Sequence, residues 1–384
     1  MLLGVLLALL PLVWVWLRSR SATPAHRLRV LTLVTLFLTF DLVLFGAFTR
    51  LSDSGLGCPD WPGCYGSVSP LGASASIAAA QAALPSGPVT FSKAWVEMIH
   101  RYFATTVGVL ILVLASVSWL ERRRLAVSFW WPLLTLVWVC VQGAFGALTV
   151  TMQLFPAMVT LHLLGGLALL ALLRAQAVGY ALAAPGRPQS APVDPGTRRA
   201  LWLVFALLWV QIALGGWVST NNAVLVCSDF PTCQGSWWPP MDFQHGFSLW
   251  RELGMTATGE LLPFPALTAI HYVHRLAAYV LLAALFWLAW RLWFVPGLRN
   301  SGRGVLALAL WQLFSGLSTV VLDWPLLAAL AHTGGAAALV IVLTGALCVS
   351  QLAQARQPDR RLHSFAPTAV PPDGPAAQQP TPVL

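Results

Sequence analysis

Eight stretches of the chain are long and almost wholly apolar, at roughly 29–49, 97–119, 126–148, 157–178, 199–219, 268–291, 304–322 and 327–352. Each can carry an α-helix across a hydrocarbon core of ~30 Å, and each far exceeds the ~10 residues of a barrel strand. The pattern predicts an all-α integral membrane protein with eight core transmembrane helices. A ninth run, residues 2–17, is interrupted by Pro11 and followed by Arg18 and Arg20. It has no basic residue before its apolar core and no small-residue cleavage site. It therefore reads as a retained N-terminal helix, either a short extra span or a signal-like anchor.

Composition agrees. Of 384 residues 58% are hydrophobic and only 9% charged, against about 25% charged in a soluble domain. The net charge of +9 raises the question of nucleic acid, but no basic stripe with interleaved aromatics lies on a polar domain, and nucleic acid is set aside. The basic residues instead gather in alternate connectors: Arg18, Arg20, Arg27 and Arg29; Arg122, Arg123 and Arg124; Arg187, Arg198 and Arg199; Arg299 and Arg303; then Arg356, Arg360 and Arg361. The other connectors are longer and neutral or acidic, with Asp53, Asp60, Asp229, Asp242, Glu252 and Glu260. This asymmetry orients the chain in a bacterial-type plasma (inner) membrane, the arginine-rich ends cytoplasmic. Residues after about Ser364 are rich in Pro, Ala and Gln and read as a disordered cytoplasmic tail.

The second half repeats the first at an offset of 169 to 170. Gly46 falls on Gly215, and CPDWPGCYG (58–66) falls on CSDFPTCQG (227–235). Gln142 meets Gln312, Gly146 meets Gly316, Thr149 meets Thr319 and His162 meets His332. His100-Arg101 corresponds to His274-Arg275 at a slightly larger offset. With four spans each, both halves enter the membrane in the same sense, as two pseudo-symmetric four-helix bundles related by an axis along the membrane normal. The expected organisation is an N-terminal helix and basic connector (1–28), a first half (29–178), a cytoplasmic linker (179–198), a second half (199–352) and the tail (353–384).

His26, His245 and His363 fall in connectors or the tail and read as solvated. His100, His162, His271, His274 and His332 lie in or at the ends of spans, where an ionisable group is costly and a functional reading is the default. His100, His162, His274 and His332 each sit in the first turns of a helix that starts outside, two per bundle. Any one alone reads best as interhelical glue. The repeated pairing favours two imidazoles meeting the two axial positions of a haem iron. Zinc fits less well, because no third or fourth ligand recurs in both halves.

Arg101 and Arg275 follow their histidines, and Arg50 ends the first span on the same side. They read either as snorkelling to the headgroups or as binding haem propionates. Arg50 has no counterpart, since Ser219 stands in its place. Glu97, one turn before His100, is replaced in the second half by His271. It reads either as a carboxylate favoured by a helix N-terminus or as a catalytic group that takes a proton or stabilises a developing cation. Cys58 with Cys64, and Cys227 with Cys233, lie in outside connectors, where oxidation is expected. Their spacing is neither a zinc nor a thioredoxin pattern. They read as two structural disulfides pinning loop lids, with a redox role open for the first pair. Cys140 and Cys348 read as inert core residues.

GAFTRLSDSGLGCPDWPGCYG (46–66), the E-x-x-H-R at 97–101, His162 followed by Gly165-Gly166, and His274-Arg275 with His332 together resemble the haem A synthase family. The resemblance covers all eight spans, and T-R-L-x-x-S-G-L at 49–56 is its most specific element. It implies an enzyme that oxidises a methyl group of haem O to a formyl group, through an alcohol, to give haem A for terminal oxidases. It further implies that the first half, with His100, His162 and Glu97, takes haem O and releases haem A. The second half, with His274 and His332, would hold a haem b that passes electrons on. Partners implied are the bilayer, haem O itself and an electron acceptor the residues do not name; a haem O synthase and a second copy of the chain in a homo-oligomer are candidates the residues leave open. The alternative is a dihaem membrane cytochrome that only transfers electrons, for instance from quinol. A transporter built on parallel repeats is less consistent, because the polar residues crowd one surface rather than the midplane.

Overall fold

The computed structural model describes residues 2–183 and 193–355. Arg187, His363, the three arginines beyond residue 355 and the expected tail from residue 356 onward lie outside the described residues. The chain is all-helical in its ordered elements: α1 (Leu2–Arg18), α2 (Pro24–Leu51), α3 (Ser74–Ala83), α4 (Phe91–Leu120), α5 (Trp130–Thr151), α6 (Pro156–Leu182), α7 (Pro195–Thr220), α8 (Phe243–Gly246), α9 (Phe264–Trp293), α10 (Arg299–Val321) and α11 (Leu326–Ala355). Eight of them, α2, α4, α5, α6, α7, α9, α10 and α11, are long and apolar enough to cross a membrane.

Several helices outrun the apolar stretches that announced them, because their caps are polar and lie outside the bilayer core. The Thr23 hydroxyl accepts from His26 N–H at 3.4 Å, Thr90 from Lys93 N–H at 3.2 Å, and Asp194 from Thr197 N–H at 2.9 Å. Each satisfies one of the orphan donors of a helix start. α5 instead begins four residues later than the apolar run at 126, at Trp130. Two short helices, α3 and α8, lie in the connectors α2–α4 and α7–α9 and have no transmembrane signature; α3 is held by the buried Ile77.

Within the first half α2, α4, α5 and α6 form a ring, each touching its chain neighbours and α6 closing on α2; α7, α9, α10 and α11 repeat it, α11 closing on α7. Between halves, α6 packs on α11 and α7, while α11 packs on α2. Exchanging the halves maps this set of contacts onto itself, as a two-fold axis along the bundle requires, and puts α6 and α11 at that axis. Small residues allow the approach: a Cβ added to Gly216 of α7 would lie 3.2 Å from Thr160 of α6, and one on Gly334 of α11 would lie 3.2 Å from Leu44 of α2. Large apolar side chains such as Leu203, Trp290 and Phe314 point outward, the arrangement expected when lipid is the solvent.

α1 lies along α4. Thr106 donates its hydroxyl to the Gly4 carbonyl at 2.9 Å; at the other end Arg27 Nε donates to the Ser19 carbonyl at 2.9 Å. Its 17 residues reach about 25 Å, from the level of Tyr102 to the arginine-rich end. Cys140 departs from its expected place in the core: it is exposed, because α5 buries only Pro132, Thr135, Gln142 and Val150 and turns its other faces outward.

Candidate functional site

At the histidine end of each half a loop is closed by a disulfide, Cys58–Cys64 in the first half and Cys227–Cys233 in the second. Inside each loop an aspartate gathers the same two amides. Asp60 accepts from Tyr65 N–H at 2.6 Å and Gly66 N–H at 2.7 Å; Asp229 accepts from Gln234 N–H at 2.7 Å and Gly235 N–H at 3.0 Å. The Thr232 hydroxyl donates to Asp229 as well. That hydroxyl bond, ahead of the Gly235 and Gln234 amides, holds the Asp229 carboxyl down at about 2. Tyr65 and Gln234 both adopt positive φ, 49° and 57°, so the two loops share a turn that their residues do not share.

The arginines that follow the histidines staple these loops down. Arg101 Nη1 donates to the carbonyls of Asp60, at 2.9 Å, and of Gly63. Arg275 Nη1 donates to the equivalent carbonyls of Asp229 at 2.9 Å and Thr232 at 2.7 Å, and its Nη2 reaches Cys227 O at 3.1 Å. Most of the donors expected to face a propionate are thus already engaged by protein. Arg50 also has protein partners: its Nη2 donates to Ser219 O at 2.8 Å and Asn222 Oδ1 at 2.7 Å, across the seam between the halves.

Glu97 is buried at 4% exposure. One carboxylate oxygen accepts from Cys58 N–H at 2.8 Å and the other pairs with Arg101. A buried carboxylate needs such partners, and here they tie it to the disulfide loop. His271, its replacement, lies on a different partner, donating from Nδ1 to the Ala223 carbonyl at 2.8 Å. His245, expected to be solvated, pairs with Asp242 at 2.6 Å.

The four remaining histidines occupy equivalent places. His100 is the tenth residue of α4 and His274 the eleventh of α9; His162 and His332 are each the seventh, of α6 and α11. All therefore lie about two turns inside their helices. Each ring rests against a glycine of a neighbouring helix. A Cβ added to Gly46, Gly146, Gly215 or Gly316 would lie 3.0, 3.4, 2.9 or 3.0 Å from Cε1 of His100, His162, His274 or His332 respectively. His100 and His162 lie within electrostatic reach of each other, as do His274 and His332. Among the described residues no three or more His, Cys, Asp or Glu side chains come together as a metal site.

The halves differ behind the rings. Ser315 Oγ donates to Trp311 O at 2.6 Å and accepts from His332 Nδ1 at 3.0 Å, leaving Nε2 as the bare nitrogen. The Gln211 amide nitrogen lies 3.0 Å from His274 Nδ1 and donates to the His274 carbonyl at 3.1 Å. In the first half Leu42 and Phe145 stand in the places of Gln211 and Ser315, and Nδ1 of both His100 and His162 is buried without a hydrogen-bond partner. Two buried imidazoles per bundle, each resting on a glycine of a neighbouring helix, are donors of the kind that would hold a haem iron, so the residues present fit such a group.

A model of the COX15-CtaA family, described as cytochrome oxidase assembly protein, matches residues 29–344. The chain belongs to that family. It is 36% identical to the haem A synthase of Shewanella oneidensis over 81% of its own length and 92% of the relative's. It is 33% identical to that of Methylobacterium nodulans over 77% and 84%, and 29% identical to that of Symbiobacterium thermophilum over 80% and 90%. Membership makes the protein an oxidoreductase of the haem A synthase type. The family match begins at Arg29, so α1 and the preceding connector lie outside it.

Sequence reasoning passed over the residues behind the rings, Gln211 and Ser315, because a single polar residue in a span carries no motif. Their signal was the repeat itself, in which they replace Leu42 and Phe145. It also passed over Asp41 of α2 and Arg174 of α6, charges set within apolar runs.

Proposed function

We propose that the first half takes haem O between His100 and His162 and releases haem A, while the second half retains a haem b between His274 and His332. The observation that carries this division is the difference behind the rings. A hydrogen bond to the far nitrogen of a ligating imidazole fixes its tautomer and strengthens it as a ligand. His332 has that support from Ser315, whereas the nitrogen that Gln211 sets beside His274 is itself a donor and packs against the ring without accepting its proton. His100 and His162 have none, which suits a site that must let its pigment go.

The resident haem, when bound, supplies one-electron redox chemistry. The chain's own residues orient the substrate and hold charge beside it. Glu97, fixed by Arg101 and the Cys58 amide, places a buried carboxylate one turn from His100, where it stabilises positive character at the methyl group undergoing oxidation or accepts its proton. Because Arg101 and Arg275 already grip the loops, their part in propionate binding is confined to the donors left over, and they set the loops as lids over the two sites. The arginine-rich helix ends orient the histidine end away from the cytoplasm. Handing over so insoluble a substrate favours direct transfer from the membrane enzyme that makes haem O.

The test is pigment extraction from cells expressing wild type or Glu97→Ala with and without haem O, resolved by chromatography. The variant is expected to retain bound haem while haem A production collapses. Haem A formed at the wild-type rate would remove Glu97 from the mechanism.

A further inference from the structure

We propose that the cavity between α2, α6 and α11, at the arginine-rich end of the bundle, binds the phosphate of an anionic phospholipid, gripped by Arg29 and Arg174. This inference is independent of the haem reading.

The cavity measures about 250 Å³ and is lined by Arg29 and Leu33 of α2, Arg174, Ala177 and Ala181 of α6, and Val349 of α11. Arg174 stands eight residues before the end of α6, inside an apolar run. Its Nε is buried and has no hydrogen-bond partner. Among the described residues no carboxylate lies within ion-pair distance of either arginine. The guanidinium lies across Gly345 of α11, where an added Cβ would sit 2.6 Å from Nη2 and 2.9 Å from Nε. The glycine makes room for the charge. Neither feature is repeated in the other half, where Thr344 and Ala175 take the equivalent places.

An unpaired guanidinium at this depth is expensive and calls for a counter-ion. Two arginines without a carboxylate present only donors, and forked donors match phosphate oxygens. The rest of the lining is apolar. Ala177 and Ala181 follow Arg174 on one face of α6 and keep the slot open towards the helix end. That combination fits a headgroup phosphate with glycerol and acyl carbons behind it. Basic pockets between helices at the cytoplasmic leaflet are where anionic headgroups lodge. Free inorganic phosphate shares the phosphate chemistry but gains nothing from the apolar walls.

The test uses the full chain purified in neutral detergent and titrated, in separate arms, with phosphatidylglycerol, phosphatidylcholine and inorganic phosphate. Binding is read by native mass spectrometry. Phosphatidylglycerol is expected to bind with one-to-one saturation, about tenfold more tightly than phosphatidylcholine. Arg174→Gln and Arg29→Gln should each weaken it about tenfold, and Arg174→Lys should keep most of the affinity. Arg29 lies near a helix start, so Arg29→Gln serves as the folding-safe variant. Equal affinity for the two lipids, or unchanged phosphatidylglycerol binding in Arg29→Gln, overturns the proposal. Inorganic phosphate binding as tightly as phosphatidylglycerol overturns the lipid assignment.

Discussion

Arg50 donates from Nη2 to the main-chain carbonyl of Ser219, the residue that stands in its own place in the second half. Equivalent positions touch only near a symmetry axis, so this bond marks the seam at the histidine end. Replacing Arg50 with Ser, which restores symmetry, removes both this bond and the one to Asn222. The loss should be about 1–2 kcal/mol, with the Asn222 contact discounted for solvent exposure. Chemical unfolding of the purified protein measures it; an unchanged midpoint would mean the contact holds nothing.

The glycine cradles predict site-selective loss of pigment. Gly46→Ala would push a methyl group to 3.0 Å from His100, and Gly215→Ala to 2.9 Å from His274. Overpacking of this kind costs about 1–3 kcal/mol, here expressed as a displaced ring. Gly46→Ala should spare the resident haem and abolish haem O conversion, whereas Gly215→Ala should deplete the resident haem. Haem stoichiometry by absorption, beside product analysis, separates the two.

Ser315→Ala removes the acceptor from His332 Nδ1. Loss of such an outer partner weakens ligation about 10–100-fold. Transfer of haem to apomyoglobin should speed up for this variant. The converse change, Phe145→Ser, should slow release from the first half; no change in either rate would detach ligand strength from these positions.

Asp229 gives a pH prediction. Its carboxyl is held at about 2, chiefly by the Thr232 hydroxyl, against an ordinary value of 3.8. A depressed value means the ionised form stabilises the loop above the unfolded value, and that contribution fades as pH falls through the folded one. Hydrogen exchange at the Gln234 and Gly235 amides should therefore stay protected from pH 8 down to about 4 and open towards pH 2. Asp229→Asn should expose both at every pH.

The spans were legible because bilayer thickness imposes a length on apolar runs, and the repeat was legible because matched Cys pairs, His-Arg pairs and glycines do not arise from chance apolar similarity. The loop disulfides follow from the same reasoning. What Arg101 and Arg275 hold was not legible. Their partners are carbonyl oxygens, which every residue carries and no side-chain pattern announces. Glu97 itself stood out beside His100, but its tie to the loop did not, since one of its two partners is a main-chain amide. Cys140 was misplaced because an apolar residue in a span meets either lipid or protein, and hydrophobicity alone does not choose between them.

The meeting of position 50 with position 219 bears on how such a chain could have arisen. If one bundle had once associated with an identical copy, the side chains here would have faced their own duplicates. Two arginines would have repelled, and two serines would have left no bond across the junction. Only after fusion into one polypeptide could the two sides drift apart, one keeping the charge and the other offering its backbone. The same freedom would allow the two bundles to take the separate roles proposed for them.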